Sequence, residues 1–237
     1  MDVLLTVLAA VYGALAGASL PRARYRLSVE PDEPWRSAGP CGHGLRGWLG
    51  RARCGACGEA YGPGARWPAA VTALVCAALA AGVGARPELG VWLAAAPVAV
   101  LLAAVDRSVR RLPDVLTLPL AGGMAVLLGA AALIPGAAGS WPRALLGGLA
   151  LGGGYLLLFL IHPAGMGFGD VKLAVGLGCA LGWYGWPVLG WGALAGLLLG
   201  SLYGTALLVT RRAGRGTAMA FGPFMILGAW LGLLGGA

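Results

Sequence analysis

Charged residues are scarce in this chain of 237 residues. They make up 11% of the sequence, against 59% for hydrophobic residues, and the mean hydropathy is +0.80. A soluble domain carries roughly 25% charged residues, so this composition excludes a protein of that kind. The alternation of apolar and polar residues that a membrane barrel needs is missing too, which leaves helices as the way to satisfy backbone polar groups in lipid. We therefore predict an all-α, polytopic integral membrane protein, with membrane lipid as its surrounding partner.

Histidine and lysine are also rare, and their scarcity narrows the chemistry. The two histidines, His43 and His162, lie in no recognisable nucleophile motif, so no Ser-His-Asp triad is indicated. Lys172 is the single lysine, and the other sixteen basic residues are arginines that apolar runs separate. This spacing does not form the continuous basic stripe of a nucleic-acid-binding protein, so we expect no nucleic-acid partner. The net charge of +8 is instead interpreted as membrane topology.

Apolar runs of membrane-spanning length occur eight times along the chain. A helical span needs about 20 apolar residues. The runs cover residues 1–20, 68–85, 89–105, 115–134, 144–162, 171–186, 188–210 and 217–236. Threading them alternately through a membrane places fifteen basic residues on one side and only Arg86 and Arg143 on the other. Because basic residues favour the cytoplasmic side, we predict about eight transmembrane helices with both termini outside.

The longest polar stretch, residues 21–67, is too short and too poor in large apolar residues to form a core of its own. We interpret it as a cytoplasmic loop rich in cysteine and arginine. The chain then divides into residues 1–67, which contain the first helix and this loop, and residues 68–237, which form a seven-helix membrane domain.

Glycine is abundant, at 43 positions. Small residues let membrane helices approach each other closely, so we expect most glycines within the runs to lie at helix contacts. Clear examples stand in the fifth and seventh runs, at Gly147, Gly148, Gly152, Gly153, Gly154, Gly192, Gly196 and Gly200.

Two aspartates near predicted span ends are the leading catalytic candidates, because ionisable groups near hydrocarbon are costly. Asp106 stands where the third run ends and Asp170 where the sixth begins, so the threading puts both at the cytoplasmic boundary. Two carboxyl groups within a few ångströms of each other share one proton. One can then deprotonate a water while the other polarises a carbonyl, which is the apparatus of an aspartic protease. There are simpler alternatives. Asp170 could be the residue that caps a helix, and Asp106 could be a solvated residue that pairs with nearby arginines.

Alternating glycines precede Asp170 in the segment GMGFG of residues 165–169. Glycine lets the backbone adopt conformations that other residues avoid and lets another chain approach closely. A peptide substrate must be extended for water to reach its amide, and pairing as an added strand against this segment would hold it so. Gly167 and Gly169 are therefore candidate substrate-positioning residues. Lys172 could stabilise ionised Asp170 or contact the substrate, and contact with a lipid headgroup or a loop is the alternative.

Both aspartates lie in segments that resemble motifs of a known family. Residues 106–120, DRSVRRLPDVLTLPL, resemble the first aspartate motif of the type IV prepilin peptidases. Residues 165–173, GMGFGDVKL, resemble the second motif of that family, the GxGD signature shared with presenilin-like intramembrane aspartyl proteases. Residues 221–224, FGPF, and 25–27, YRL, resemble two further family segments. The resemblance covers most of the chain, in order.

The resemblance implies a prepilin leader peptidase in which Asp106 and Asp170 are the catalytic pair. Such an enzyme cleaves the short basic leader of prepilins or pseudopilins after a glycine, at the cytoplasmic face of the bacterial inner membrane, in type IV pilus assembly and protein secretion. Proteolysis of this kind requires no cofactor. Family members often also methylate the new N-terminal amine from S-adenosylmethionine, but no nucleotide-binding motif in this sequence indicates that activity independently. Asp114 has no family catalytic role and is expected to cap the fourth helix.

The cysteine loop departs from the family pattern. Many family members carry two C-x-x-C pairs there, thought to hold zinc. In this chain Cys54 and Cys57 form one pair, while the other position reads Cys41-Gly42-His43, without a second thiol. His43 could supply the fourth ligand of a tetrahedral site with Cys41, Cys54 and Cys57, because imidazole and thiolate are ordinary zinc ligands. Reduced, metal-free thiols are the alternative.

Two other classes of protein remain open from the sequence. A small proton- or ion-coupled transporter would use Asp106 and Asp170 as a relay. Transporters usually place such groups near the bilayer midplane in broken helices of paired repeats, and we find no internal repeat in this sequence. A purely structural membrane subunit would leave both aspartates dispensable.

Overall fold

A computed structural model describes residues 2–30, 33–62, 64–163, 165–211 and 219–236. These residues contain eight α-helices and no β-strand, apart from two isolated bridges in the loop after the first helix. The predicted all-α fold is confirmed. The helices are α1 (Asp2–Leu27), α2 (Arg66–Val83), α3 (Glu88–Val109), α4 (Asp114–Ala132), α5 (Trp141–Ile161), α6 (Phe168–Tyr184), α7 (Trp186–Val209) and α8 (Gly222–Gly236).

Six of the helices, α1 to α5 and α7, are long and apolar enough to cross a membrane. The other two are shorter, with 17 residues in α6 and 15 in α8. Large apolar side chains such as Val126, Leu149 and Leu202 are at least 70% exposed on the outer faces of their helices. Apolar exposure on this scale suits lipid rather than water. The chain is a polytopic membrane protein, and each of the eight predicted runs corresponds to one helix.

Most helix boundaries lie within four residues of the predicted runs, and the end of α1 is the main exception. This helix continues to Leu27 instead of ending at residue 20. Its last turns are helical because Leu20, Ala23 and Leu27 are buried in one cluster with Val105 of α3. The prediction of a loop from residue 21 was therefore wrong at its start. The run predicted from residue 217 is helical from Gly222, and residues 217 and 218 lie outside the described part of the chain.

Arginines near the end of α1 hold the following loop against the helix bundle. Arg22 donates to the carbonyl oxygen of Arg46 at 2.6 Å, and Arg26 donates to that of Gly47 at 2.7 Å. The Arg26 guanidinium also lies 3.9 Å from the ring centroid of Trp48. Cations are favoured at a helix C-terminus, where the backbone carbonyls are unpaired. The loop therefore forms a fixed, arginine-rich layer over one end of the bundle.

Glycines make the closest helix contacts, as the sequence predicted. A Cβ atom added at Gly147 of α5 would lie 2.5 Å from the Gly178 carbonyl oxygen of α6, so the two backbones nearly touch. For Gly153 and Gly154 the packing explanation is wrong, because an added Cβ would meet nothing within 4 Å. The glycines of the fifth and seventh runs that do lie at helix contacts are Gly147, Gly148, Gly152, Gly192, Gly196 and Gly200.

Helices α3 and α6 occupy the centre of the bundle. In α6, 12 of 17 residues are buried, whereas α7 buries only 3 of 24. Helix α6 packs against α4, α5, α7 and α8, and α3 packs against α1, α2, α4 and α8. The last turns of α3 carry Asp106 and the first turn of α6 carries Asp170. The two candidate aspartates are therefore held on the most enclosed elements of the fold.

Candidate active site

Asp106 lies in the last turns of α3 and is only 4% exposed. Its Oδ2 accepts a hydrogen bond of 2.9 Å from the backbone N–H of Gly222, the first residue of α8. Helix α3 ends just beyond it, where Arg110 adopts a left-handed conformation with φ of 52° and donates its N–H to the Asp106 carbonyl oxygen. No described arginine forms an ion pair with the Asp106 carboxylate. The alternative of a solvated, arginine-paired Asp106 is therefore wrong.

Asp170 is the third residue of α6 and is 8% exposed. Its Oδ2 accepts a hydrogen bond of 3.2 Å from the backbone N–H of Gly167, which immediately precedes the helix. The carboxylate thus caps the start of α6, as the simpler interpretation of the sequence expected. This hydrogen bond occupies one carboxylate oxygen, and no other described group donates to either oxygen.

Leu112, in the turn between α3 and α4, packs against residues next to both aspartates. A Cβ atom added at Gly169 would lie 2.8 Å from the Leu112 Cβ, and one at Gly222 would lie 3.4 Å from its Cδ2. Gly169 adjoins Asp170, and Gly222 binds Asp106. Leu112 thus packs between the residue next to Asp170 and the residue whose N–H binds Asp106. The structure therefore brings together at one end of the bundle two aspartates that are 64 positions apart in the sequence.

The two glycines before Asp170 differ in what they contribute. Gly167 has an extended backbone, with φ of −78° and ψ of 144°, which any residue can adopt. An added Cβ there would meet only the Asp170 Oδ2, at an ordinary distance of 3.6 Å. Gly169 is different, because its contact with Leu112 leaves no space for a side chain. Close packing accounts for Gly169, and the backbone geometry alone does not explain Gly167.

Lys172 pairs with Asp114 and makes no hydrogen bond to Asp170. Its Nζ donates to the Asp114 Oδ1 at 2.7 Å, in the one salt bridge among the described residues. The same ammonium lies 5.0 Å from the ring centroid of Phe168. Asp114 is the first residue of α4 and makes no capping hydrogen bond, so its predicted role as a cap is wrong. The pair instead ties the first turn of α4 to the first turn of α6, beside the aspartates.

The four predicted metal ligands, by contrast, do come together in the loop after α1. The ligand atoms of Cys41, His43, Cys54 and Cys57 all lie within 4.8 Å of one another. Ligands of one tetrahedral zinc ion, with Zn–S bonds of about 2.3 Å, are roughly 3.5–4 Å apart, so this donor set fits zinc. Backbone N–H groups of Cys57 and Ala56 lower the pKa of the Cys54 thiol to about 6, which favours the thiolate that binds metal.

Two tight turns allow this arrangement despite the missing thiol. Gly42, between Cys41 and His43, has φ of 76°, and Gly58, just after Cys57, has φ of 74°. Both values lie in the left-handed region that favours glycine. The turn at Gly42 lets two ligands separated by a single residue face the same point. A spacing of one residue between two ligands is therefore sterically feasible here.

The sequence did not assign a role to three residues at this end of the bundle. Gly222 supplies the hydrogen bond to Asp106, although the FGPF segment that contains it was singled out only by resemblance. Leu112 packs against the surroundings of both aspartates. Tyr155 of α5 is 4% exposed, and its ring centroid lies 6.3 Å from that of Phe221. The proline-glycine pattern around residue 222 was the one available signal.

These features define a class: polytopic helical membrane proteins that bury two carboxylates from different helices at one end of the bundle. Comparison with known proteins gives the family. The sequence model of the type IV leader peptidase family matches residues 93–209, which include Asp106 and Asp170. This chain belongs to the type IV leader peptidase family, which confirms the resemblance seen in the sequence.

Similar proteins extend the match over nearly the whole chain. The prepilin leader peptidase/N-methyltransferase of Pseudomonas putida is 30% identical over 97% of this chain and 90% of its own length. The protein of the same name from Pseudomonas aeruginosa PAO1 is 31% identical over 90% of this chain and 79% of its own length. The protein of the same name from Burkholderia pseudomallei 1026b is 36% identical over 89% of this chain and 68% of its own length. No solved structure matches the chain.

Proposed function

We propose that this chain is a membrane-embedded aspartic endopeptidase that removes the leader of type IV prepilins or pseudopilins, with Asp106 and Asp170 as its catalytic pair. One observation carries the proposal. Two buried aspartates from different helices lie on either side of a shared neighbour, Leu112, and each has one oxygen held by a backbone N–H while no other described group donates to it. Family membership and the names of the relatives agree with this activity.

The arrangement can perform hydrolysis with one proton shared by the pair. The ionised aspartate takes a proton from a water molecule, whose oxygen attacks the carbonyl carbon of the peptide bond. The protonated aspartate gives its proton to the carbonyl oxygen as the tetrahedral intermediate forms. The intermediate then collapses. The aspartate that gave up its proton takes one back from a hydroxyl of the intermediate as the C=O bond re-forms. The C–N bond breaks, and the leaving amine takes the proton that the other aspartate received from water, so the pair again holds one proton. The reaction consumes one water and needs no cofactor.

The arginine distribution supports a cytoplasmic active site. Asp106 is followed by Arg107, Arg110 and Arg111, and the arginine-rich loop covers the same end of the bundle. Arg24 of α1 donates to the Ser108 Oγ at 2.8 Å, which joins this loop-bearing helix to the end of α3. By the positive-inside rule this end faces the cytoplasm and both termini face outside. Two arginines counted in the prediction, Arg212 and Arg215, lie outside the described residues.

Gly167, Gly169 and Lys172 are proposed to position the substrate. The Gly167 N–H already donates to the Asp170 Oδ2, and the Gly167 carbonyl oxygen accepts from the Asp170 N–H. An extended peptide running along this extended backbone would therefore pair as an added strand through neighbouring backbone groups. Lys172 would act indirectly, because its ammonium is engaged by Asp114 at the rim of the site. Residues 1–67 would then form a first helix with a metal-binding loop, and residues 68–237 the peptidase domain.

Zinc held by Cys41, His43, Cys54 and Cys57 would have a structural role, fixing the two turns of the loop. The relatives' names also include an N-methyltransferase, so methylation of the new amine from S-adenosylmethionine is a second activity to assay. Prepilin and lipid are the proposed partners, and the absence of a nucleic-acid partner remains a prediction.

Substitution of each aspartate tests the proposal. Asp106→Asn and Asp170→Asn should each abolish cleavage of a coexpressed prepilin while the protein still inserts in the membrane. Asp2→Asn, which changes an exposed aspartate in the first turn of α1, is the matched control and should cleave normally. Retained cleavage in either test variant would refute the pair. Proton-coupled uptake that both variants lose, without proteolysis by the parent protein, would favour the transporter instead.

A further inference from the structure

Tyr155 of α5 is a buried side chain that the proposed mechanism does not use. It is 4% exposed. A buried tyrosine hydroxyl usually finds a hydrogen-bond partner. Tyr184, in the same bundle, follows this rule, because its hydroxyl accepts a hydrogen bond of 3.2 Å from Trp92. Among the described residues no hydrogen bond of the Tyr155 hydroxyl is found, and its oxygen is not one of the fully enclosed side-chain atoms that lack a partner. Its hydrogen-bonding capacity is therefore available to a group that enters the site.

The register between α5 and α6 places Tyr155 beside Asp170. A Cβ added at Gly152 of α5 would lie 2.5 Å from Val175 of α6. Farther along the same antiparallel pair, the ring centroids of Phe159 and Phe168 lie 5.5 Å apart. Tyr155 lies between these two contacts, about level with Lys172 and so two positions along α6 from Asp170.

Tyr155 also approaches the Asp106 side of the site. Its ring centroid lies 6.3 Å from that of Phe221, with the planes tilted by 37°. Phe221 immediately precedes Gly222, whose N–H binds the Asp106 Oδ2. A Cβ atom added at Gly200 of α7 would lie 2.6 Å from the Phe221 ring, so this ring packs closely against the backbone of α7. Tyr155 therefore packs against the residue next to the N–H donor that holds Asp106, while α5 brings it near the level of Asp170.

We propose that the Tyr155 hydroxyl is a third catalytic group, which donates a hydrogen bond to the carbonyl oxygen of the peptide bond that is cleaved. The inference rests on the proposed function. It is based on the burial of Tyr155, its unpaired donor among the described residues, and its position between α6 and the Phe221-Gly222 segment.

A hydrogen-bond donor of this kind has a defined role in hydrolysis by the two aspartates. When water adds to the peptide, the carbonyl oxygen gains electron density, and the protonated aspartate supplies one hydrogen bond to it. A hydrogen bond from a buried donor becomes stronger as negative charge develops on the carbonyl oxygen. It therefore lowers the activation barrier more than it tightens substrate binding. Tyr155 keeps its own proton throughout, so the proton balance of the proposed mechanism is unchanged.

Tyr155→Phe is the direct test, because phenylalanine keeps the ring against Phe221 and removes only the donor. Cleavage of a synthetic type IV prepilin N-terminal peptide by the purified full-length protein should show kcat lowered about 100-fold, the size found for one oxyanion donor, with KM nearly unchanged. Tyr203→Phe is the matched control. Tyr203 of α7 pairs its ring with that of Phe224 at 5.2 Å in the same way but is 41% exposed.

A second comparison separates the donor from the shape of the side chain. Position 155 is replaced by 4-aminophenylalanine, which keeps a donor, and by 4-methylphenylalanine, which has similar size and no donor. The amino analogue should recover kcat to within about tenfold of the parent protein, and the methyl analogue should not. This comparison stands even where the phenylalanine variant does not fold.

Three results would overturn the assignment of Tyr155. They are a kcat for the phenylalanine variant within about threefold of the parent, a change confined to KM, or equal activity of the two analogues. Each would leave the proposed function intact provided that the two aspartate variants are inactive. Full activity in the aspartate variants would instead remove the proposed function itself.

Discussion

Gly222 offers a way to move one oxygen of the proposed catalytic pair without disturbing the fold. A Cβ atom added there would lie 2.9 Å from the Asp106 Oδ2, whereas ordinary van der Waals contact begins at 3.4 Å. In Gly222→Ala the Asp106 carboxylate must therefore shift by about 0.5 Å, which a side-chain end can do at little cost. The next nearest atoms, the Asp106 Cγ and the Leu112 Cδ2, are both already at 3.4 Å.

The expected result is a loss of rate without a loss of stability. Misplacing a reacting group by a fraction of an ångström to 1 Å costs up to about 100-fold, so we expect kcat for prepilin cleavage to fall about 10- to 100-fold. The free energy of unfolding should change by less than about 1 kcal/mol, because no backbone has to move. Cleavage is followed on gels with purified protein in detergent, and stability is followed by thermal denaturation.

Two other glycines provide the controls. Gly154→Ala places its Cβ in open space and should change neither rate nor stability. In Gly228→Ala the new atom would meet the backbones of Gly192 and Gly196 on α7, which cannot yield, so this variant should lose stability and activity together. The reasoning about Asp106 is refuted if Gly222→Ala cleaves at the parent rate, or if its activity falls only in step with a lower melting temperature.

Three further outcomes are expected. Charge reversal of either partner of the salt bridge, Asp114→Lys or Lys172→Asp, should lower kcat/KM about two- to fivefold, and the double reversal should recover part of it in the same cleavage assay. Purified protein should contain one zinc ion per chain by elemental analysis, and Cys54→Ser should lose the zinc but still cleave prepilin; zinc-free parent protein would contradict the assigned ligands. Reporter fusions should place residue 50 in the cytoplasm and residue 136 outside, and the reverse result would refute the topology.

The helices could be predicted from the sequence because a lipid environment leaves few alternatives. Long apolar runs separated by charge must be helical, and their ends can differ only by a few residues. The exception at α1 has a physical cause, since Leu20 and Leu27 are buried against α3, a contact that local hydropathy does not contain. Asp106 and Asp170 could be singled out for a similar reason, as acidic residues are rare in such a chain.

The surroundings of the aspartates could not be predicted, because they depend on contacts between distant segments. The bond from Gly222 to Asp106 spans 116 positions, and that from Lys172 to Asp114 spans 58. Nothing in the local pattern around Lys172 favoured Asp114 over the nearer Asp170. The ligand role of His43 depended in the same way on a turn at Gly42 that the sequence allows but does not require.

The donors that hold the two proposed catalytic carboxylates are neutral backbone N–H groups, and this choice suits a shared proton. An adjacent arginine or lysine would favour the ionised form of its carboxylate, and two ionised carboxylates could not polarise a carbonyl. Two of the nearby cations have other partners: Arg111 donates to the Glu30 carbonyl oxygen at 3.0 Å, and Lys172 is paired with Asp114. A backbone N–H fixes one oxygen without a full charge. Each carboxylate can therefore be held in place and still alternate between its acidic and basic forms during the reaction.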